Sequence, residues 1–259
     1  SQAGYHDVEN ASKKVVMLVS MASEINALAH NLERLVKRSR HYRDFTLNNL
    51  TFALREVVAA LPVYRTYITP AGAEPTGAEQ RWVQQAVAEA ERRNPRTLAA
   101  VFTFLAATLL LHNRDDFPAE DQPALLAWVL RFQQVTGAVM AKGAEDTAFY
   151  RYHRLAALNE VGGDPDAFGV SVAEFHRGNA LRQRRWPASL LATATHDTKR
   201  GEDMRARLAA LTEYPDPWRA RVLTWARRNR RLKRRVGSGA APDANDEYLL
   251  YQTLVGVWP

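Results

Sequence analysis

The run SLLATATHDTKRGEDMRAR at Ser189–Arg207 holds the residues best suited to chemistry, with His196 and Asp197 side by side and Lys199 and Arg200 just beyond them. A carboxylate next to an imidazole at the end of a strand can serve a site, or it can simply cap the helix that follows. Leu190, Leu191 and Ala192 lead into alternating Thr193, Ala194 and Thr195, which reads as a short strand over 189–195. Glu202 and Asp203 suit the first turn of a helix carrying Met204, Leu208 and Leu211. In a β/α barrel, the end of such a strand is where catalytic groups stand.

A second polar group lies in MAKGAEDTAFY, where Lys142, Glu145, Asp146 and Tyr150 follow a glycine turn and precede aromatic residues. Fixed donors and acceptors beside rings suit carbohydrate, whose hydroxyls need partners and whose C–H faces stack. Ion pairing of Lys142 with Glu145 or Asp146 is the structural alternative. Lys199 and Arg200 have Glu202 and Asp203 as possible surface salt-bridge partners. Tyr64, Arg65 and Tyr67 receive no role, and His176, Trp186 and Trp258 are read as packing residues. His30, His41, His112, His153 and His176 are scattered, so no metal site is expected, and no glycine-rich phosphate loop is present.

The elements that must position these residues are mostly helices. Apolar residues from Val15 to Val36 recur at three- and four-residue steps, predicting one long helix over 12–38. A helix over 45–61 follows, with Asp44 as its cap, then an alternating strand at Pro62–Ile68 and a loop at Thr69–Gly77. Further helices are predicted at 79–93, 95–112, 123–135, 171–185, 202–212, 217–235 and 246–258. Ser171 and Glu174 form a capping box for the fourth of these, the helix running to Arg185.

Bulk properties set limits. The chain of 259 residues is 46% hydrophobic and has no apolar run near the ~20 residues of a membrane span, so no membrane partner is expected. The formal charge of +7 allows an acidic partner, but the basic residues gather at Arg182–Arg185 and Arg227–Arg235, as solvated helix ends do, and nucleic acid is not the expected ligand. The absence of cysteine excludes disulfides and thiolate chemistry and fits a reducing cytoplasm.

Four blocks carry a family resemblance: LPVYRTYI at Leu61–Ile68, FQQVTGAVMAKGAEDTAFYRYHRLAALNEVGGDP at Phe132–Pro165, the His196-Asp197 segment, and NDEYLLYQTLVGVWP at Asn245–Pro259. With these the chain resembles the maltooligosyltrehalose synthases, members of the α-amylase clan of glycoside hydrolases. The resemblance implies a mainly α fragment of an interrupted (β/α)8 barrel, with one or two short strands. Residues 1–135 would be a helical insertion subdomain, and 136–259 a partial catalytic-barrel segment with the late strand 189–195. It further implies an intramolecular transglucosylase acting on maltooligosaccharides without a cofactor, partnered by the remainder of the barrel.

By the same resemblance Asp197 is the catalytic-site carboxylate that stabilises the reacting glucose. His196, Lys199, Lys142, Glu145, Asp146 and Tyr150 would bind substrate. Retaining glycosidases need two bond-breaking carboxyl groups about 5 Å apart. The family's G-x-R-x-D block is not in this sequence, so the segment alone is expected to be inactive. The rival reading is a basic helical module that binds nucleic acid or an acidic protein, and a third is an interaction domain without its own ligand.

Overall fold

A computed structural model describes residues 4–69 and 74–258. The chain divides into two compact units, 6–148 and 4–5 with 149–258. The expected boundary at 135/136 moves to 148/149, because the helix over Gln122–Met140 runs unbroken through the earlier position.

The first unit is helical. It contains α1 (Tyr5–Val19, whose first residue goes with the second unit), α2 (Ala22–Arg38), α3 (Leu47–Ala60), α4 (Gly77–Arg93), α5 (Ala99–Leu109) and α6 (Gln122–Met140). One long helix over 12–38 was expected; instead α1 and α2 meet at an 83° bend around Ser20 and Met21. Each half keeps its own apolar stripe, so periodicity alone cannot see the break. The core joins Ile25, Leu28, Leu32 and Val36 of α2 to Leu50, Leu54 and Val57 of α3, with Phe102, Leu105, Phe132 and Val139 from later helices. Burying such side chains contributes about 1.5–3 kcal/mol each. The cap of α3 is Thr46, reciprocated by Asn49, and that of α4 is Thr76, reciprocated by Glu79.

Pro62–Ile68 forms no strand. Its backbone is paired instead by the buried side chain of Gln133: the Ile68 N–H donates to Gln133 Oε1 (2.7 Å), and Gln133 Nε2 donates to the Ile68 carbonyl (3.1 Å). The Thr66 hydroxyl donates to the same Oε1 (2.9 Å). One amide thus replaces a strand partner. Gln133→Leu is expected to destabilise the chain by about 2–3 kcal/mol, since it orphans a buried donor and acceptor; urea denaturation of the two proteins measures it, and an unchanged midpoint would refute this role. Glu79 holds the same end of the segment, accepting the Tyr67 N–H (2.7 Å) and the Thr76 N–H (2.8 Å). Burial pushes its carboxyl up, but these donors outweigh burial and hold it below the ordinary value. Residues 70–73 of the expected loop lie outside the described residues.

The second unit holds α7 (Val172–Arg185), α8 (Glu202–Ala210), α9 (Pro215–Asn229), the hairpin β1 (Arg234–Val236) and β2 (Gly239–Ala241), and α10 (Ala244–Val257). The capping box of Ser171 and Glu174 opens α7 as expected. Inside the unit α8 packs on α10, with Leu208, Tyr251 and Gln252 buried. Gln252 Oε1 accepts the Ala156 N–H (2.8 Å), tying α10 to the loop that precedes α7.

The strand expected at 189–195 is absent; the segment is irregular and exposed. A strand exists through its neighbours' hydrogen bonds, and among the described residues no strand lies beside it. Instead Thr193 is held to α8 by side chains, its hydroxyl donating to Glu202 and its carbonyl accepting from Arg205. The pair of strands that does form, Arg234–Val236 with Gly239–Ala241, overlaps the expected helix over 217–235 only at Arg234 and Arg235, and it encloses the turn-forming Gly237 and Ser238. The turn residues Gly237 and Ser238 win there, Gly237 taking a φ of 58°.

Candidate functional site

His196 and Asp197 occupy the centre of a tight turn. The Thr198 N–H donates to the Thr195 carbonyl (3.3 Å), and the Thr195 N–H donates to the Thr198 hydroxyl (2.7 Å). Both His196 and Asp197 are exposed, the Asp197 side chain by 52%. Lys199 is different: its side chain is only 6% exposed, and its ammonium lies 3.2 Å from Asp197 Oδ1. The turn therefore presents one carboxylate to solvent with a cation beneath it.

What fixes this turn is Glu160, a residue the sequence reading did not single out. Its carboxylate accepts the Lys199 N–H (2.9 and 3.2 Å) and the Arg200 N–H (3.4 Å), besides that of Val161 (3.0 Å). The Arg200 guanidinium reaches the Asn159 carbonyl (3.4 Å), and Asn159 Nδ2 donates to the carbonyls of Phe149 and Tyr152 (2.8 and 2.6 Å). Local sequence makes Glu160 rigid. Gly162 adopts a φ of +72°, and a Cβ on Gly163 would stand 2.8 Å from the Glu160 carbonyl oxygen and 2.9 Å from that of Leu158. Both glycines are therefore required. The signal was present in the NEVGGDP run, where a carboxylate precedes a double-glycine turn.

The second cluster is divided by the structure. Lys142, Glu145 and Asp146 belong to the first unit, and Tyr150 to the second. Lys142 pairs with Asp146 (2.7 Å), and the Thr147 hydroxyl donates to the Lys142 carbonyl (2.8 Å). Glu145 is buried and accepts the hydroxyl of Tyr64, a residue given no role from sequence. Ala141–Glu145 is a π-helical turn, a geometry frequent at functional sites. Gly143 at its middle presses on Lys13, whose buried ammonium pairs with Glu9 (2.8 Å) and the Leu61 carbonyl (3.2 Å). Burial lowers the Lys13 pKa, with Glu9 opposing it.

Tyr150 has an exposed ring, and its carbonyl accepts from the buried His153 Nε2 (3.0 Å). Burial, assisted by Arg200, lowers the His153 pKa despite that hydrogen bond. His153 Nδ1 is buried without a partner, so the neutral ring with Nε2 protonated fits the site.

Beside the turn in sequence lies a long uncovered apolar stretch. Phe168, Val170, Val172, Phe175, Trp186, Leu190 and Leu191 are all exposed, Leu190 completely, and α7 buries no residue. Trp186, His176 and Trp258, read as packing residues, are likewise exposed. The described residues hold no group of three His, Cys, Asp or Glu able to bind a metal.

No family model matches the chain. Comparison with individual proteins nevertheless points to one class: the chain is similar in sequence and fold to part of the maltooligosyltrehalose synthases. Two Mycobacterium tuberculosis proteins named for that enzyme are 48% identical over 130 residues, half of this chain and 16% of theirs. The solved maltooligosyltrehalose synthase of Arthrobacter ramosus covers the whole chain at 36% identity with a TM-score of 0.76, while the chain covers 29% of it. The hypothetical maltooligosyl trehalose synthase of Sulfolobus tokodaii also covers the whole chain, at 26% identity and a TM-score of 0.67, with 29% of its own length matched. The chain thus spans under a third of its solved relatives and about a sixth of its curated ones.

Proposed function

We propose that this chain is a segment of an intramolecular transglucosylase that turns the reducing-end α-1,4 linkage of a maltooligosaccharide into an α,α-1,1 linkage. The carrying observation is the exposed Asp197 carboxylate, presented by an anchored turn that follows a segment of exposed apolar side chains in the sequence. The names of its relatives support the same reading.

In this reading a carboxylate elsewhere in the longer protein attacks the anomeric carbon of the penultimate glucose. The α-1,4 bond breaks as an acid protonates the departing 4-oxygen. The freed glucose turns within the site, and its anomeric hydroxyl attacks the glycosyl-enzyme while its proton returns to the same acid group. Asp197 and His196 hold the hydroxyls of the reacting ring as it flattens toward an oxocarbenium ion. Contacts that tighten as charge develops lower the barrier by several kcal/mol. Water must be kept out, because it competes for the intermediate.

Maltopentaose distinguishes the possibilities. The full-length protein should remove reducing ends without equivalent glucose release, and the 259-residue chain alone should do neither. Turnover by the isolated chain would overturn the segment reading.

A further inference from the structure

We infer that Glu160 is a positioning residue for the reaction proposed above, acting through the backbone of Lys199 and Arg200 to set where Asp197 stands. The inference rests on that reading of Asp197 and on hydrogen bonds that no part of the reading requires. Glu160 takes both N–H groups that follow the His196–Thr198 portion of the turn. It is itself immobilised by the glycine turn behind it, where Gly163 has no room for a side chain. Asn159, next to it, is bound to two backbone carbonyls and carries the Arg200 guanidinium on its own carbonyl.

The consequence is a relay with few free torsions. The loop at 149–160 holds Glu160, Glu160 holds the backbone of Lys199, and the Lys199 ammonium holds the Asp197 carboxylate. Glu160 touches no substrate in this scheme. Its two carboxylate oxygens suit adjacent N–H groups as a neutral side chain with one acceptor cannot. A displacement of the turn by about 1 Å would cost on the order of 10²-fold in rate without changing which groups are present.

The test uses the full-length protein bearing this segment, with maltopentaose as substrate. Glu160→Ala should lower kcat roughly 30–100-fold with KM within about twofold of wild type. Glucose released by hydrolysis should rise relative to rearranged product. Glu160→Gln, which keeps one acceptor, should recover part of kcat and of the product ratio. A general structural role would lower the melting temperature and the folded fraction but would leave the rate and product ratio of the folded enzyme unchanged; that result overturns the proposal. Should Glu160→Ala not fold, the Gln variant decides alone: a wild-type rate and product ratio refute positioning. Asp197→Asn serves as the control. Full activity there defeats the underlying reading, whereas an inactive Asp197→Asn beside a fully active Glu160→Ala defeats only this one.

Discussion

Asp197→Asn in the full-length protein is expected to lower kcat at least ~10³-fold, about 4 kcal/mol of lost transition-state stabilisation. The substitution keeps the shape of the side chain and removes its charge, which is the property the flattened ring would use. Asp197 is half exposed, so its own contribution to folding is small. Its partner Lys199 is not exposed, and it keeps a hydrogen-bond acceptor in the asparagine amide oxygen. The expected signature is therefore a collapsed kcat with an almost unchanged circular dichroism spectrum and melting temperature. Loss of reducing ends from maltopentaose measures the rate, and a variant within tenfold of wild type would remove Asp197 from the chemistry.

Gly143→Ala is expected to destabilise the first unit by about 1–3 kcal/mol. The added Cβ would stand 2.7 Å from both Cα and Cγ of Lys13 and 3.1 Å from its backbone nitrogen. A flexible side chain could swing aside, but a helix backbone cannot. Truncation at the partner, Lys13→Ala, should therefore fail to rescue the variant, because Cα and N remain where they are. Thermal or urea unfolding of the two single variants and the double variant measures this. A rescued double variant would place the conflict on the lysine stem instead. The shift should also be felt by Lys142 and Glu145, which flank Gly143 in the same π-helical turn.

Much of the helical content was legible because capping and periodicity are local. Ser171 and Glu174 announced α7, and the helices at 79–93 and 202–212 formed close to their expected bounds. The bend between α1 and α2 was invisible, since both arms satisfy the same spacing. The segments expected as strands failed for a different reason. Alternation at Pro62–Ile68 and 189–195 reports which faces could pair, but the pairing itself depends on distant chain: a glutamine side chain answered for the first, and α8 side chains for the second. His196 and Asp197 stood out as a dipeptide, and Lys199 by adjacency. Glu160 did not, because its value lies in accepting backbone N–H groups about forty residues away, and no local pattern encodes a main-chain partner.

The bare apolar stretch from Phe168 to Leu191 carries a consequence for how such a site comes into being. The turn that holds the carboxylate is anchored by Glu160, while Phe168, Val170, Trp186, Leu190 and Leu191 stand exposed to water, a condition that invites association with apolar surface. Within a longer polypeptide, sealing that surface and completing the reaction centre would be a single event, so an enzyme built this way would gain its shape and its reactivity together.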